Sequence, residues 1–565
     1  MTRKRPSSST TVSRAPKKKK QDAFTIPRPS SPVAPAVPPS RAHPISYHHP
    51  LLLEYQSSCN DLLAWFESVE ETRNMPWRKE WIDPETFAGK EKELGAVLAK
   101  RAYEVWVSEV MLQQTRVSTV IPYFKNWISK WPTVQDLADA SHDDVLNVWK
   151  GLGYYSRATR LHQGAQAFVA RKSESCPIPS SAEELQEFPG IGKYTAGAIS
   201  SIAFGEAEPV LDGNVARVLS RQLGLYVDAK DKKSTDLLWI VADQLIKEVA
   251  NYPETMKSDV PGKWNQALME LGSTICTPRP KCDECPIQKT CRVYTEGQAL
   301  SNKTKRASSI PDIEDACTLC EQLDTEDLAA PPEGDNEDEE SSATATKKKK
   351  VQAKKNNTIS NYFTAATPRA GVTADSGENV GDTQTPGSKK RKSPAAEDLK
   401  AITTYCSLFP KKVAKKKVAE EDCVVCIVEV QMPTQSKWLI EQRPAKGLLG
   451  SLWQFPQEAF PASKNTPSYR KASAQKFIST LQTGQIDMSK AKFVAELDSL
   501  VHVFSHLKLT MHVSLFKLEL TDDASPDMAP AGVPARKWVD TDAMGDQTLS
   551  TGMRRCWELV QKRLS

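Results

Sequence analysis

The stretch Phe188-Pro189-Gly190-Ile191-Gly192-Lys193-Tyr194-Thr195-Ala196-Gly197 decides how this chain is read. Two glycines two apart, after a proline, allow a tight hairpin whose backbone N–H groups face outward where the next helix begins. A helix N-terminus of that kind grips a phosphate oxygen without regard to base sequence. Alone the pattern is weak, since any helix–helix turn can use Pro-Gly-x-Gly. It is strengthened by a later loop holding Cys276, Cys282, Cys285 and Cys291, spaced Cys-x5-Cys-x2-Cys-x5-Cys. Four thiols in one short loop suit a [4Fe–4S] cluster, which takes one sulfur per iron. Zinc sites usually set two Cys-x2-Cys pairs well apart, and this loop has one. Hairpin, cysteine loop and two carboxylates on separate elements point together to an enzyme that cuts glycosidic bonds in DNA.

The first carboxylate is Glu109, in Trp106-Val107-Ser108-Glu109-Val110-Met111. Tyr103, Trp106, Val107, Val110 and Met111 recur at helical spacing, and Glu109 flanks that apolar stripe. It reads either as a surface glutamate or as a half-buried carboxyl whose raised pKa lets it donate a proton near neutrality. The second is Asp212, in Leu211-Asp212-Gly213-Asn214-Val215, before another helical pattern. It reads either as an N-cap or as an anion held at the positive end of a helix. A neutral carboxyl and a charged one form the pair used in glycoside cleavage.

Composition sets the frame. At 565 residues the chain has room for several domains of about 150 residues each. Net charge is only +5 but unevenly spread: the first twenty residues carry eight Lys or Arg and no acid. An acidic block, Glu333 to Glu340, is followed by Lys347-Lys348-Lys349-Lys350. Such runs are solvated tails or mark nucleic-acid affinity and nuclear import. No apolar run approaches the roughly 18 residues of a membrane span, and no signal-peptide core is visible. Twelve cysteines in such a chain argue for metal ligation over a disulfide framework. Residues 1–45, rich in Pro, Ser, Lys and Arg, read as a disordered basic tail, and 295–420 as a disordered linker. A mainly helical domain is expected over 46–294, interrupted by a polar insertion at 82–100. From Asp422 the pattern turns to strands, as in Cys423 to Val430 and Met511 to Leu518, so 421–565 reads as a smaller α+β domain.

Residues 46–294 closely resemble the MutY family of adenine DNA glycosylases, in the helix–hairpin–helix superfamily that includes endonuclease III. The matching stretches are Pro76-Trp77-Arg78, Val105 to Gln114, Gly151 to Arg157, Pro189 to Ile199, Asp212 to Leu219 and Ala267 to Cys276. The resemblance implies that Glu109 protonates nitrogen seven of adenine and that Asp212 stabilises the positive sugar left behind. Tyr194 and Asn214 match residues assisting at that sugar. Gln114 and Tyr154 match wedges in the base stack while adenine is flipped out. Trp77, Arg78, Gly190, Gly192 and Lys193 fall among the substrate- and DNA-binding positions. Endonuclease III-type enzymes carry a lysine nucleophile where this chain has Tyr194, and a phenol forms no Schiff base. The resemblance thus implies a monofunctional enzyme acting on adenine opposite 8-oxoguanine or guanine. The alternatives are a thymine or uracil mismatch glycosylase, and a catalytically weak lesion-binding scaffold.

The fold implied is a mainly α helix–hairpin–helix glycosylase domain with a [4Fe–4S] loop, plus a C-terminal α+β Nudix-like domain. The latter rests on Arg443 to Pro456 and on Phe504-Ser505-His506, which match the family loop that senses 8-oxoguanine. The first cysteine interval is one residue shorter than the family's usual six. Cys317 and Cys320, with His48, resemble part of the interdomain zinc site of animal relatives. Asn356 to Phe363 (Asn-Asn-Thr-Ile-Ser-Asn-Tyr-Phe) resembles a PCNA sliding-clamp interaction box. The expectation is a nuclear monomer working on double-stranded DNA; a mitochondrial form stays open.

Overall fold

The computed structural model describes residues 26–38, 40–171, 177–301, 316–323, 394–413, 418–432, 436–444, 447, 449–481, 483, 486–504, 507–519 and 535–564. Ser505, His506 and the Asn356–Phe363 box lie outside them. The chain forms two compact units, each discontinuous in sequence, so they cut across the boundaries expected at 46–294, 295–420 and 421–565.

One unit is drawn from Cys59–Asp212, Ile246–Glu270 and Lys412–Ser565. Its central helix, Glu91–Leu112, buries Tyr103, Trp106, Val107, Val110 and Met111, the stripe read from the sequence. The insertion at 82–100 does not stop short of this helix. It makes a 3-10 turn, Pro84–Phe87, capped by the Asp83 side chain, and then the helix's first turns. The hairpin helix, Lys193–Phe204, packs on the central helix and ends at Gly205, whose φ of 71° is left-handed. Gly197 permits a close approach on this helix, since a Cβ there would lie 2.1 Å from the Pro209 carbonyl oxygen.

The same unit contains a seven-stranded sheet built from β1 (Ala419–Gln431), β2 (Ser436–Gln442), β3 (Trp453–Gln454), β4 (Gln457–Phe460), β5 (Lys492–Val503), β6 (Leu507–Glu519) and β7 (Arg536–Asp540). Its path is β3-β2-β1-β6-β5; β4 also pairs with β1, and β7 with β2. β1 (Ala419–Gln431) and β6 (Leu507–Glu519) run parallel, Cys423 opposite Met511, and both are buried along their centres. Helix Pro467–Thr480 covers one face, with Val424, Cys426 and Val428, while helix Thr551–Leu564 covers the other, with Cys423, Val425 and Ile427. Alternation along β1 therefore feeds two cores, as a strand buried on both faces requires. Strand β5 ends at Val503, and the N–H of the next residue, Phe504, donates to the Leu507 carbonyl at 2.7 Å.

The second unit, Met1–Ser58, Gly213–Leu245 and Leu271–Lys411, corrects two sequence expectations. Residues 26–45 of the expected tail and 394–413 of the expected linker include ordered, buried segments. Their anchor is Glu296, a fully buried carboxylate. Arg41 pairs with it at 2.7 Å, and the Tyr47 and Tyr405 hydroxyls donate to it at 2.7 and 2.6 Å. A buried charge is tolerated only when so satisfied. Helix Pro394–Cys406 thereby packs on helix Arg292–Ser301, with Phe409 and Tyr405 in the same apolar cluster as Val293 and Leu300. Polar composition around it concealed this, because the apolar face of Ala401, Ile402, Tyr405 and Cys406 is short and meets partners distant in sequence.

Candidate active site

Glu109 sits on the central helix, 7% exposed. The Tyr194 hydroxyl, one residue into the hairpin helix, donates to its Oε2 at 2.5 Å and lies 3.1 Å from Met269 Sδ. Burial pushes the Glu109 carboxyl up to about 7; the hydrogen bond from Tyr194 pulls it down, the Asp212 charge pushes it up, and Arg78 pulls it down. Burial and the nearby Glu109 and Asp212 charges hold the Tyr194 phenol well above its ordinary value, so it stays a donor. Near neutrality the site can hold a proton on Glu109 with the phenol fixing one carboxyl oxygen. Asp212 is the last residue before helix Gly213–Leu223, and Asn214 lies in that helix's first turn, accepting from Arg217 at 2.8 Å.

Arg78 is held by Glu270, which its Nη2 reaches at 2.6 Å, while Arg73 bridges the same carboxylate at 3.1 Å. Glu270 is 3% exposed and was not singled out from the sequence. A carboxylate in the Ala267 to Cys276 match, next to Met269, was the available signal. Trp77 is a core residue, 6% exposed and edge-on to Phe124 with centroids 5.3 Å apart.

Gln114 and Tyr154 are both exposed and both left-handed, with φ of 56° and 47°. Strained non-glycine backbone of this kind persists only where the surroundings enforce it. Arg157 does so for both turns at once. Its Nη1 donates to the carbonyls of Val110, Met111 and Gln113 at 3.0, 3.1 and 2.6 Å, and its Nη2 to those of Leu152 and Gly153, both at 3.2 Å. Its guanidinium also lies over the Tyr154 ring. At the hairpin, Gly190 has φ 83° and a Cβ there would lie 2.8 Å from Arg160 Cβ. Gly192 and Lys193 are exposed, with open space around Gly192, at the start of the helix. Phe504 packs edge-on against His502, centroids 4.5 Å apart.

In the second unit Cys276, Cys282, Cys285 and Cys291 line one largely apolar cavity. Helix Gly213–Leu223 splints their loop. Arg221, 2% exposed, donates to the Cys276 carbonyl and sulfur, both at 3.2 Å, and to the Thr277 carbonyl at 2.7 Å. Gln222 reaches the Ile287 carbonyl at 3.0 Å, and Arg217 the Cys276 carbonyl at 2.8 Å. The short first interval is thus closed by guanidinium hydrogen bonds. Four thiols around one cavity, with cationic donors behind them, fit a [4Fe–4S] cluster.

His43, His48, Cys317 and Cys320 form a separate group whose ligand atoms all lie within 4.8 Å of one another. The His48 and His43 Nδ1 atoms face the carbonyls of Leu223 and Arg41, so each ring donates there and turns the Nε2 lone pair inward. Those two Nε2 atoms are 3.0 Å apart, and His48 Nε2 is 3.2 Å from Cys317 Sγ. Two facing lone pairs repel unless a proton or a cation lies between them. Two histidines and two cysteines are a complete tetrahedral zinc set. His43, in the expected tail, is the fourth member of this group and was not singled out in the sequence.

Human adenine DNA glycosylase (Homo sapiens) is 33% identical over 88% of this chain and 73% of its own. The Schizosaccharomyces pombe adenine DNA glycosylase is 31% identical over 83% of this chain and 84% of its own. The chain belongs to the adenine DNA glycosylase family. It is an enzyme of base excision repair that removes adenine from DNA. The family described as HhH-GPD superfamily base excision DNA repair protein matches residues 107–244, and the NUDIX domain family residues 427–559. The solved structure of a thermostable thymine-DNA glycosylase is 22% identical, covers 42% of this chain and 95% of that one, and has a TM-score of 0.33. In this glycosylase no helix among the described residues is long and apolar enough to cross a membrane.

Proposed function

We propose that this glycosylase excises adenine paired with 8-oxoguanine, or with guanine, by a monofunctional mechanism in which Glu109 is the acid and Asp212 the anion. The observation that carries this reading is the buried Glu109 carboxyl, raised to about 7, with its Oε2 held by the Tyr194 hydroxyl. Because the phenol donates to Oε2, the Glu109 proton resides on Oε1, where it can pass to adenine nitrogen seven. The glycosidic bond electrons then leave with the neutral base, the Asp212 carboxylate stabilises the positive sugar, and water adds to it. Asn214 assists at the sugar. Tyr194 cannot form a Schiff base, so the product is an abasic site on an intact strand.

Gln114 and Tyr154, presented by the two turns that Arg157 clamps, are the wedges that hold adenine out of the stack. Gly190, Gly192 and Lys193 grip the backbone phosphate, Arg78 contributes to the base pocket, and Phe504 with Ser505 and His506 reads the opposite 8-oxoguanine. Cys276, Cys282, Cys285 and Cys291 would hold a [4Fe–4S] cluster, which when bound ties their loop into a rigid scaffold. His43, His48, Cys317 and Cys320 would hold zinc. The basic runs support a nuclear location, and the segment Asn356–Phe363 supports binding to the sliding clamp.

Single-turnover excision from duplexes holding A:8-oxoguanine, A:G and T:G pairs tests the reading, with product analysed with and without alkali. Cleavage is expected from the first two, and only after alkali. Preference for T:G would favour the thymine-mismatch alternative, and strand breakage without alkali would contradict a monofunctional enzyme.

A further inference from the structure

The four-cysteine cavity has a fifth thiol in its wall. Cys406, the last residue of helix Pro394–Cys406, is 1% exposed and lines the cavity together with Cys276, Cys282, Cys285 and Cys291. Its thiol is hydrogen-bonded to Cys282, and Thr403, on the same helix, makes a second side-chain hydrogen bond to that sulfur. Cys406 also shares an apolar cluster with Cys282 and Cys291. The helix is held there by Tyr405 on Glu296 and by the Arg221 Nε donating to the Phe409 carbonyl at 2.9 Å. Arg221 is the residue that also holds Cys276.

A [4Fe–4S] cluster has four irons, and the loop already supplies one sulfur for each. Cys406 is therefore left as a thiol beside a ligating sulfur. A thiolate can only accept a hydrogen bond, whereas a thiol and a hydroxyl can donate one. We propose that Cys406, with Thr403, donates to the Cys282 sulfur and sets the reduction potential of the iron–sulfur centre from outside the ligand set. This rests on the reading of the four loop cysteines as cluster ligands. Donors to a ligating sulfur draw electron density from it and stabilise the more negative, reduced state, which raises the midpoint potential. The helix lies in the stretch of chain between the HhH-GPD match and the NUDIX match.

The test uses full-length, iron-loaded protein and the variants Cys406→Ala, Cys406→Ser and Thr403→Val/Cys406→Ala. Iron per chain is measured first, then the cluster's midpoint potential by voltammetry and its resonance spectrum in the reduced and oxidised forms. Cys406→Ala should keep its iron and move the midpoint to more negative values. Cys406→Ser, which retains a donor, should return it toward wild type, and the double variant should move it furthest. A Cys406→Ala protein with full iron and an unchanged midpoint overturns the inference. So does loss of iron in Cys406→Ala with retention in Cys282→Ala, which would make Cys406 a ligand. Should the alanine variant fail to fold, thiol alkylation of native wild type decides. Cys406 should be unreactive until iron is removed, and reaction at the rate of an exposed thiol while iron is bound contradicts the proposal. Iron-free wild type would overturn the cluster reading itself, whereas an iron-loaded protein with an unmoved midpoint counts against this inference alone.

Discussion

At the scale of single residues, the proposed chemistry depends on a carboxyl that burial raises to about 7 and a phenol holds at one oxygen. Glu109 owes its raised pKa first to burial, and Tyr194 works against that rise while fixing Oε2. Tyr194→Phe removes the hydroxyl but keeps the ring. The Glu109 pKa should then climb further, because the influence removed is one that lowers it. Excision at neutral pH should fall by about tenfold, roughly the worth of one hydrogen bond of 1–1.5 kcal/mol. The pH at which activity is lost should move to more alkaline values. A variant whose profile shifts to acid would refute the hydrogen bond's assigned role. The partnership of Glu109 with Tyr194 was only half legible in the sequence. Helical spacing put Glu109 beside the apolar stripe, but nothing local said that a phenol from another helix would meet it. Glu270 is harder still, since its identity as a buried acceptor depends on Arg73 and Arg78, far away in the chain.

At the scale of elements, one arginine organises two turns, of which the sequence marks only the second by glycines, Gly151 and Gly153. Arg157 reaches five carbonyls from two turns and keeps Gln114 and Tyr154 in left-handed backbone. Charge-assisted hydrogen bonds contribute about 1.5–3 kcal/mol each, so Arg157→Met should lower the unfolding temperature. It should also reduce the fluorescence change that reports flipping of a 2-aminopurine placed as the target base. Loss of stability with normal flipping would mean that the clamp is structural only. The hairpin helix was legible because its glycines and the Thr-Ala that follows are local signals. Helix Pro394–Cys406 was not. It lies in a charged, proline-bearing stretch, and what orders it is the Tyr405 hydroxyl on the buried Glu296 and an apolar cluster with Val293 and Leu300, distant in sequence.

At the scale of the whole molecule, the all-helical and sheet-bearing parts follow from composition and pattern, but the two compact units do not. Chain segments far apart in sequence share each unit, and no periodicity encodes such pairing. The His43, His48, Cys317 and Cys320 group is the sharpest case: the two cysteines stood out by spacing, His43 by nothing. Full-length protein should carry one zinc per chain besides its iron, measured by elemental analysis. His43→Ala should lose that zinc while iron is retained, since the four loop cysteines are a separate set. Zinc content unchanged in His43→Ala would remove His43 from the ligands. The measurement that bears most directly on the whole account is the pH profile of single-turnover adenine excision from an A:8-oxoguanine duplex, for wild type and Glu109→Gln. An acid with a pKa of about 7 must be protonated to act, so the wild-type rate should fall roughly tenfold per pH unit above that value. The glutamine variant, which cannot donate that proton, should bind the duplex but lose about 10²–10⁴-fold in rate at every pH. A wild-type rate that stays level up to pH 9, or near-normal excision by Glu109→Gln, would contradict it.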